Sequence, residues 1–219
     1  MPHTNNARPV TFTAHAGSLG TVPNTRESVL AGLEYIGGGN IEVDVRFSPT
    51  GVPVLSHDAV KDTSAFTLEE CFALAQPFTA GINLDLKEAQ GNVAEIHRLA
   101  EAYGLLPRVF FTGIRASDVA AVRALGIPYY LNVYPGRLRA RLRGANARLA
   151  RKTRVLGAVG LNLPHWWTTP TLVRTAHAAG LLVSAWTVDS RTDMERLLAL
   201  GVDNITTRKP DLLQTGVDT

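Results

Sequence analysis

Three carboxylates stand in β-rich runs of the sequence, in a pattern suited to holding a metal ion. Glu42 and Asp44 are two residues apart in the run IEVDV. Because side chains alternate along a strand, both point to the same face, roughly 6 to 7 Å apart along the backbone. Asp85, in the later run INLDL, is a third oxygen donor. Oxygen ligands without cysteine are typical of hard cations, so the sequence predicts a site for one divalent cation, Mg²⁺ or Ca²⁺.

Two histidines and a lysine accompany these carboxylates. His15 ends the first β-rich run, His57 lies in the turn SHD, and Lys87 stands two residues after Asp85. Two imidazoles near neutral pH can act in turn as general base and general acid, and an ammonium group suits a phosphate oxygen. The set predicts phosphoryl transfer to water, in which one histidine takes a proton and the other protonates the leaving alkoxide.

Each of these residues also has a structural interpretation. A single histidine at a strand end is more often a hydrogen-bonded structural residue than a catalyst, and Glu42 can pair with Lys87 or Arg46 instead of a metal. The ordered set His, Glu-x-Asp, His-Asp and Asp-x-Lys follows successive β-rich runs, which is hard to obtain by chance. We therefore favour the catalytic interpretation of the whole set.

The elements that must position these residues alternate along the entire chain. Eight β-rich runs are predicted as strands, at 10–14, 41–45, 82–86, 109–112, 129–133, 159–161, 182–186 and 204–206. Amphipathic helical patterns lie between them, at 25–35, 93–103, 117–125, 170–179 and 191–200. Eight strands close the common α/β barrel, whose active site forms where strands end and loops begin. The sequence predicts an α/β fold, a single (β/α)8 TIM barrel over residues 10–219, after a disordered tail at 1–9.

Composition indicates an ordinary globular protein and limits its partners. Hydrophobic residues make up 45% of the chain and charged residues 19%, which is enough for a large core. The net charge of +3 is local, because eight basic residues and no acid lie within 137–154. They are Arg137, Arg139, Arg141, Arg143, Arg148, Arg151, Lys152 and Arg154. We interpret them as a solvated helix face outside the catalytic centre, with at most weak contact to an anionic surface, and predict no nucleic-acid partner.

The single cysteine and the amino terminus indicate the compartment. Cys71 has no partner for an intramolecular disulfide, so a buried structural thiol is expected. Residues 1–9 are polar and lack the apolar centre of a signal peptide, and no long uninterrupted apolar run follows them. The sequence therefore predicts a cytoplasmic protein without a transmembrane segment.

Five segments resemble the glycerophosphodiester phosphodiesterase family in order and spacing and cover nearly the whole chain. They are TAHAGSLGTVPNTRESVLAGLE, IEVDVRFSPTGVPVLSHD, LDLKE, AHAAGLLVSAWTVDS and LGVDNITTRKPDLL. The resemblance implies hydrolysis of small-molecule glycerophosphodiesters to glycerol 3-phosphate and an alcohol. It implies that His15 and His57 are catalytic, that Lys87 contacts phosphate and that Trp186 lines the glycerol pocket. The metal ligands it implies are Glu42, Asp44 and Asp85.

The sequence departs from the family pattern at four places, one of which is the loop Pro23-Asn24-Thr25, where the family's glutamate before the asparagine is missing. Ala16 stands where the family has an arginine after its first histidine, so one positive contact to phosphate is missing. On this ground the sequence predicts that Ala16→Arg raises the rate. Asp85 replaces a longer glutamate, which leaves the choice of metal open. The stretch 58–81 is short, which predicts a compact barrel with little or no capping insertion and a site open on that side.

A polar and aromatic run after the sixth barrel strand is a candidate for one wall of the pocket. It contains Asn162, which we assign to substrate binding, together with His165, Trp166 and Trp167. Their aromatic rings can cover a bound alcohol. The alternative for this run is ordinary packing within a loop.

Two other functions remain open from the sequence. A sphingomyelinase D-like phospholipase uses the same barrel with two histidines and an acidic metal site. This alternative stays open because alanine, and not arginine, follows His15. Headgroup release from glycerophosphocholine rather than from a lysophospholipid would distinguish the two. The other alternative is a catalytically impaired barrel that binds phosphodiesters without turnover. The presence of both histidines and all three carboxylates argues against it.

Overall fold

The computed structural model describes residues 9–61, 64–134 and 144–212, and these form strands alternating with helices. The strands are β1 (Thr11–Ala14), β2 (Asn40–Phe47), β3 (Pro53–Leu55), β4 (Gly81–Leu86), β5 (Val109–Ile114), β6 (Tyr129–Asn132), β7 (Gly160–Pro164), β8 (Leu182–Trp186) and β9 (Asn204–Thr207). The helices are α1 (Arg26–Ile36), α2 (Leu68–Ala75), α3 (Val93–Ala102), α4 (Val119–Arg123), α5 (Ala145–Leu156), α6 (Pro170–Ala178) and α7 (Arg191–Leu200). The tail predicted at 1–9 lies outside the described residues except for Pro9.

Eight of these strands form a closed parallel barrel, which confirms the predicted compact (β/α)8 fold. The pairing runs β1, β9, β8, β7, β6, β5, β4, β2, and β2 returns to β1 through Thr13 opposite Asn40. Strand β2 continues beyond its contact with β1, and β3 pairs antiparallel with that extension, from Val45 opposite Leu55 to Phe47 opposite Pro53. This hairpin places the segment after β3 at the carboxyl end of the barrel.

The alternation of apolar and polar residues along the strands separates two environments. In β2 the apolar residues buried in the layer shared with the helices are Ile41, Val43 and Val45. Glu42 and Asp44 occupy the opposite face, inside the ring of strands. Polar groups inside the ring pair with one another, since the Thr13 hydroxyl donates to Asn204 Oδ1 at 2.8 Å. The main core therefore lies between sheet and helices, and the barrel interior is left for polar chemistry.

The helices begin and end at the residues that capping rules favour. The side chains that accept backbone N–H bonds at helix starts are those of Thr25, Thr67, Thr169 and Ser190. Gly201 ends α7 in the left-handed conformation, with φ 72°, as its sequence position predicts. None of the described helices is both long and apolar enough to cross a membrane.

Helix α4 is shorter than the predicted helix at 117–125. The Asp118 carboxylate accepts the backbone N–H of Arg115 at 3.0 Å and the Ser117 hydroxyl at 3.0 Å, which forms a turn before the helix. The helix therefore starts only at Val119.

Helix α5 carries the described part of the basic segment. The basic residues on it are Arg148, Arg151, Lys152 and Arg154, and all four are exposed. The face turned inward buries Ala150 and Thr153. The interpretation as a solvated helix face therefore fits this part of the segment, while Arg137, Arg139, Arg141 and Arg143 lie outside the described residues. On α2, Cys71 is fully buried as expected.

Candidate active site at the mouth of the barrel

A cleft of about 280 Å³ opens at the carboxyl ends of the strands. The residues assigned to the site from the sequence all line it, namely His15, Glu42, Asp44, His57, Asp85, Lys87, Asn162 and Trp186. A larger cavity of about 620 Å³ is lined by residues at the starts of strands, including Asn40, Gly81 and Val109. Within the described ranges, the only carboxylate cluster close enough to share a metal ion lies in the smaller cleft. Barrel catalysis also takes place at the carboxyl end, so this cleft is the candidate active site.

The acidic cluster is formed by the register between two neighbouring strands. Asp44 of β2 stands opposite Asp85 of β4, and Glu42 precedes Asp44 on the same face. One carboxylate oxygen from each lies within 4.8 Å of the others. Glu42 and Asp44 are only 5% and 3% exposed. Because buried like charges at this distance repel strongly, the cluster requires cationic or hydrogen-bonding partners.

Glu42 lies one inward-facing position further from the carboxyl end of β2 than Asp44. Its Oε2 accepts the backbone N–H of Ala16 at 2.9 Å, and His15 Nδ1 lies 3.6 Å from the same oxygen. Burial raises the pKa of Glu42 to about 7; Asp44 and Asp85 add to the rise, while His15 and the Ala16 N–H oppose it. The charge on Glu42 is thus costly among these protein groups alone.

The Lys87 ammonium lies between the two aspartates. Its Nζ is 2.5 Å from Asp44 Oδ1 and also contacts Asp85 Oδ2. Burial would lower the pKa of Lys87, but the two carboxylates raise it above the usual range. Burial would likewise raise the pKa of Asp44, yet Lys87 and a hydrogen bond from Asn24 hold it below the usual value. Lys87 therefore stays charged, and two of its three N–H donors go to carboxylates.

Asn24 fixes the position of Asp44, and sequence reasoning did not assign it to the site. Its Nδ2 donates to Asp44 Oδ2 at 2.7 Å, and its Oδ1 accepts the backbone N–H of Asp44 at 3.0 Å. The Asn24 backbone is left-handed, with φ 61°, a conformation that asparagine tolerates better than most residues. The available signal was an asparagine directly before the helix cap Thr25.

The structural pairing considered for Glu42 does not occur. Arg46 donates through Nε to the His57 carbonyl at 2.9 Å and through Nη1 to Glu88 at 3.3 Å. Lys87, the other partner considered, contacts the two aspartates. In the described part of the chain Glu42 pairs with neither cation, and Arg46 instead anchors the backbone at His57.

Both histidines use the same ring nitrogen, Nδ1, for a hydrogen bond. His15 Nδ1 lies 2.7 Å from the Ala16 carbonyl oxygen, and His57 Nδ1 lies 2.9 Å from Asp58 Oδ1. Carbonyl and carboxylate oxygens only accept, so each Nδ1 carries a hydrogen and Nε2 of the neutral ring keeps its lone pair. The His57 side chain is 72% exposed and that of His15 23%. His57 therefore lies at the rim and His15 nearer the acidic cluster.

A wall of aromatic and amide side chains faces the acidic cluster. Trp186 packs edge to face on Tyr134, with ring centres 5.8 Å apart. Asn162 Nδ2 donates to Asn132 Oδ1 at 2.9 Å, an oxygen that also accepts the Gly113 N–H at 3.0 Å. This arrangement fixes which end of the Asn162 amide is oxygen. Asn162 Oδ1 and Trp186 Nε1 are buried without a hydrogen-bond partner among the described residues, so one acceptor and one donor remain for a polar ligand.

The prediction that His165, Trp166 and Trp167 form a wall of the pocket after the sixth barrel strand, β7, is wrong. Asn162 lies within β7 and lines the cleft, but the three residues of the following turn do not. His165 turns to Asp193, with Nδ1 3.3 Å from Oδ1. Trp166 is 63% exposed, and Trp167 packs against the apolar cluster beneath the helices. The turn directs these side chains away from the cleft: His165 and Trp167 contact their own surroundings, and Trp166 is largely exposed to solvent.

Arg208 is a further cleft residue that sequence reasoning missed. It follows the last residue of β9, lines the cleft, and donates through Nη1 to Asp189 Oδ2 at 3.1 Å. The available signal was the run TTRKPD, which puts a basic residue one position after the last barrel strand. Strand ends are where barrel enzymes place their functional groups.

A closed (β/α)8 barrel with an acidic cluster and two histidines at the carboxyl ends of its strands has the layout of an enzyme. Residues 90–212 match the sequence model of the glycerophosphoryl diester phosphodiesterase family. A glycerophosphodiester phosphodiesterase of Caldanaerobacter subterraneus subsp. tengcongensis is 26% identical, over 91% of this chain and 94% of the relative. The chain belongs to the glycerophosphoryl diester phosphodiesterase family and is a phosphoric diester hydrolase.

Solved structures show the same fold at low sequence identity. A putative glycerophosphodiester phosphodiesterase from Galdieria sulphuraria superposes with a TM-score of 0.81 at 23% identity, covering 96% of this chain and 98% of that one. An Oleispira antarctica phosphodiesterase, solved in complex with the product sn-glycerol-3-phosphate, gives 0.77 at 20% identity, covering 95% and 97%.

Proposed function

We propose that this protein hydrolyses glycerophosphodiesters to glycerol 3-phosphate and an alcohol, with one divalent cation and His15 and His57 as proton-transfer groups. The observation that carries the proposal is the convergence of three carboxylates within 4.8 Å in a cleft that both histidines also line. The product complex of the Oleispira antarctica phosphodiesterase, on the same fold, supports this substrate class.

The donor set fits a hard cation. Glu42, Asp44 and Asp85 offer oxygen atoms only, and Glu42 and Asp44 are held in place by Ala16 and Asn24. Such ligands suit Mg²⁺ or Ca²⁺. Bound there, the ion would supply Lewis-acid polarisation of a phosphate oxygen. It would also compensate the charge of Glu42, whose pKa is raised first by burial and then by Asp44 and Asp85.

The two histidines suit opposite proton transfers. Each has Nδ1 hydrogen-bonded to an oxygen acceptor and Nε2 left to exchange a proton with the substrate. One ring takes the proton of the attacking group and the other returns a proton to the leaving alkoxide. The exposed rim position of His57 and the deeper position of His15 place the pair at two depths of the same cleft.

Three further side chains are assigned to substrate binding. Lys87 keeps its third N–H donor for a phosphate oxygen. Asn162 Oδ1 accepts a substrate hydroxyl, and the Trp186 ring, with its unpartnered Nε1, covers the glycerol carbons. A site built to hydrogen-bond a hydroxyl rejects analogues that lack it, because its buried polar atoms would stay unpaired.

A substrate panel tests the proposal. Purified protein with Mg²⁺ or Ca²⁺ is incubated with glycerophosphocholine, glycerophosphoethanolamine, glycerophosphoglycerol and a lysophosphatidylcholine, and glycerol 3-phosphate and free alcohol are quantified. We expect release of glycerol 3-phosphate from the glycerophosphodiesters. Headgroup release from the lysolipid alone would establish the phospholipase alternative, and binding of all four without turnover would establish a binding barrel.

A further inference from the structure

Arg208 and His15 leave two neighbouring strands side by side at the mouth of the barrel. Strands β9 and β1 pair with Thr207 opposite Ala14, so the next residue of each strand is Arg208 or His15. The His15 N–H donates to the Thr207 carbonyl at 2.8 Å, and the Leu19 N–H donates to the Arg208 carbonyl at 3.1 Å. Both side chains line the same cleft. The backbone at this point is therefore fixed on both sides of the Arg208 side chain.

The guanidinium of Arg208 is positioned by Asp189 and keeps hydrogen-bond donors for a ligand. Asp189 Oδ1 accepts the Arg208 backbone N–H at 2.9 Å, and its Oδ2 accepts from Nη1 at 3.1 Å. A guanidinium has five N–H donors, and in the described structure Asp189 is the single side-chain partner of this one. The Arg208 side chain is 54% exposed. Most of its donors are therefore free to bind a ligand in the cleft.

The charges in the cleft indicate that Arg208 binds an anionic group of the substrate. The substrate of the proposed function is an anion, and the cleft holds three carboxylates. Lys87 already contacts two of them, and Arg46 is bound to Glu88 and to the His57 carbonyl. Ala16, directly after His15, is 3% exposed and carries no charge. Among the described residues, Lys87 and Arg208 are the lysine and arginine that line the cleft. Lys87 is paired with two carboxylates of the acidic cluster, and Arg208 is paired with none of them.

We propose that Arg208 binds a non-bridging oxygen of the substrate phosphate, from the strand next to His15. This inference rests on the proposed function for the choice of substrate. The phosphate contact that the family pattern assigns to position 16 is here assigned to Arg208, directly after the last barrel strand. A guanidinium can donate two parallel hydrogen bonds to a phosphate group, and Asp189 positions it for that contact.

The proposal reverses the expectation for Ala16→Arg. The sequence alone predicts a higher rate from that substitution. Ala16 is only 3% exposed and its N–H is bonded to Glu42, so a long side chain there must displace its neighbours or enter the cleft beside Arg208. Two guanidinium groups at one phosphate repel each other. We expect no gain from Ala16→Arg in the native protein.

The test compares Arg208→Gln with Arg208→Lys and with Lys209→Ala as matched control. Gln removes the charge but keeps a donor for Asp189. Lys209 is exposed and lies outside the cleft lining, so its loss changes the net charge equally without removing a cleft contact. Two quantities are measured with Mg²⁺ present: kcat and KM for glycerophosphodiester hydrolysis, and the Kd of inorganic phosphate and of glycerol 3-phosphate by calorimetry. Thermal melting checks the fold of each variant.

We expect Arg208→Gln to raise both Kd values and the KM roughly 10- to 100-fold, the range for loss of a charge-assisted hydrogen bond. Arg208→Lys should recover part of the loss, and Lys209→Ala should match the native protein. Equal phosphate affinity in Arg208→Gln and Lys209→Ala would overturn the inference, as would native protein that binds no phosphate. If the native protein binds phosphate but hydrolyses no diester, the proposed function fails. A loss of phosphate affinity in Arg208→Gln would still support the phosphate contact.

Discussion

At the scale of single residues, the three carboxylates of the cluster have different surroundings. Asp44 and Asp85 share the Lys87 ammonium, whereas Glu42 has a backbone N–H and a nearby imidazole. The pKa of Asp44 is lowered and that of Glu42 is raised to about 7. Removal of charge should therefore be tolerated best at Glu42 in metal-free protein.

Glu42→Gln separates the metal-binding role of this residue from its effect on stability. A carboxyl group whose pKa rises from 4.5 to about 7 on folding is protonated in the folded state and ionised in the unfolded state between these pH values. Stability contributed by that proton is therefore lost as pH rises through this window, on the order of 3 kcal/mol at most. We expect metal-free Glu42→Gln to be at least as stable as the native protein at pH 8 and to lose the rise in Tm with Mg²⁺ or Ca²⁺.

Thermal melts of both proteins from pH 4.5 to 8, with chelator and with metal, measure this difference. Glu34→Gln, at an exposed position of α1, is the control and should behave as the native protein. A Glu42→Gln variant that keeps the full metal-induced rise in Tm would remove Glu42 from the ligand set.

Substitution of either histidine by alanine should lower the catalytic rate and leave the fold intact. His57→Ala and His15→Ala are each expected to lower kcat by about two or more orders of magnitude, because general acid-base groups contribute on that scale. The Tm should change little for His57, whose side chain is 72% exposed. Steady-state kinetics beside melting curves measure both effects, with His97→Ala on α3 as control. Full activity in either variant would exclude that histidine from the mechanism.

At the scale of helices and strands, the alternation of residues made most of this site predictable. Glu42, Asp44 and Asp85 share a face because the side-chain period of a strand is two, and the parallel register of β2 and β4 then brings them together. The contributions of Asn24 and Arg208 depend on a left-handed loop residue and on the ion pair with Asp189, which no periodicity reveals. The same limit explains the error at His165, Trp166 and Trp167, where a turn after β7 directs the side chains.

The basic helix α5 offers a test at this scale. Its arginines and lysine are exposed and lie outside the cleft lining, so the paired substitution Arg151→Glu with Lys152→Glu should leave kcat/KM on a soluble glycerophosphodiester within about twofold of the native value. Co-sedimentation with vesicles of neutral and of acidic lipid measures surface binding. Strong binding to acidic vesicles that disappears at high salt would contradict the interpretation as a merely solvated face.

At the scale of the whole molecule, the barrel collects groups that are far apart in sequence. His15 and Lys87 follow the first and third barrel strands, which both pair with β2, and Arg208 comes beside His15 because the last strand, β9, pairs with β1. Closure also explains why Arg208 reaches the phosphate position proposed for it. The single-domain organisation and the cytoplasmic location expected from the sequence stay predictions.

The central claim is that the cluster of Glu42, Asp44 and Asp85 holds an ion on which diester hydrolysis depends. Its most direct test is the initial rate of glycerol 3-phosphate release from glycerophosphocholine by chelator-treated protein, titrated with Mg²⁺ or Ca²⁺. We predict no measurable rate before metal is added and a saturable recovery that reaches its maximum at one bound ion per chain. An undiminished rate after exhaustive chelation would contradict the claim.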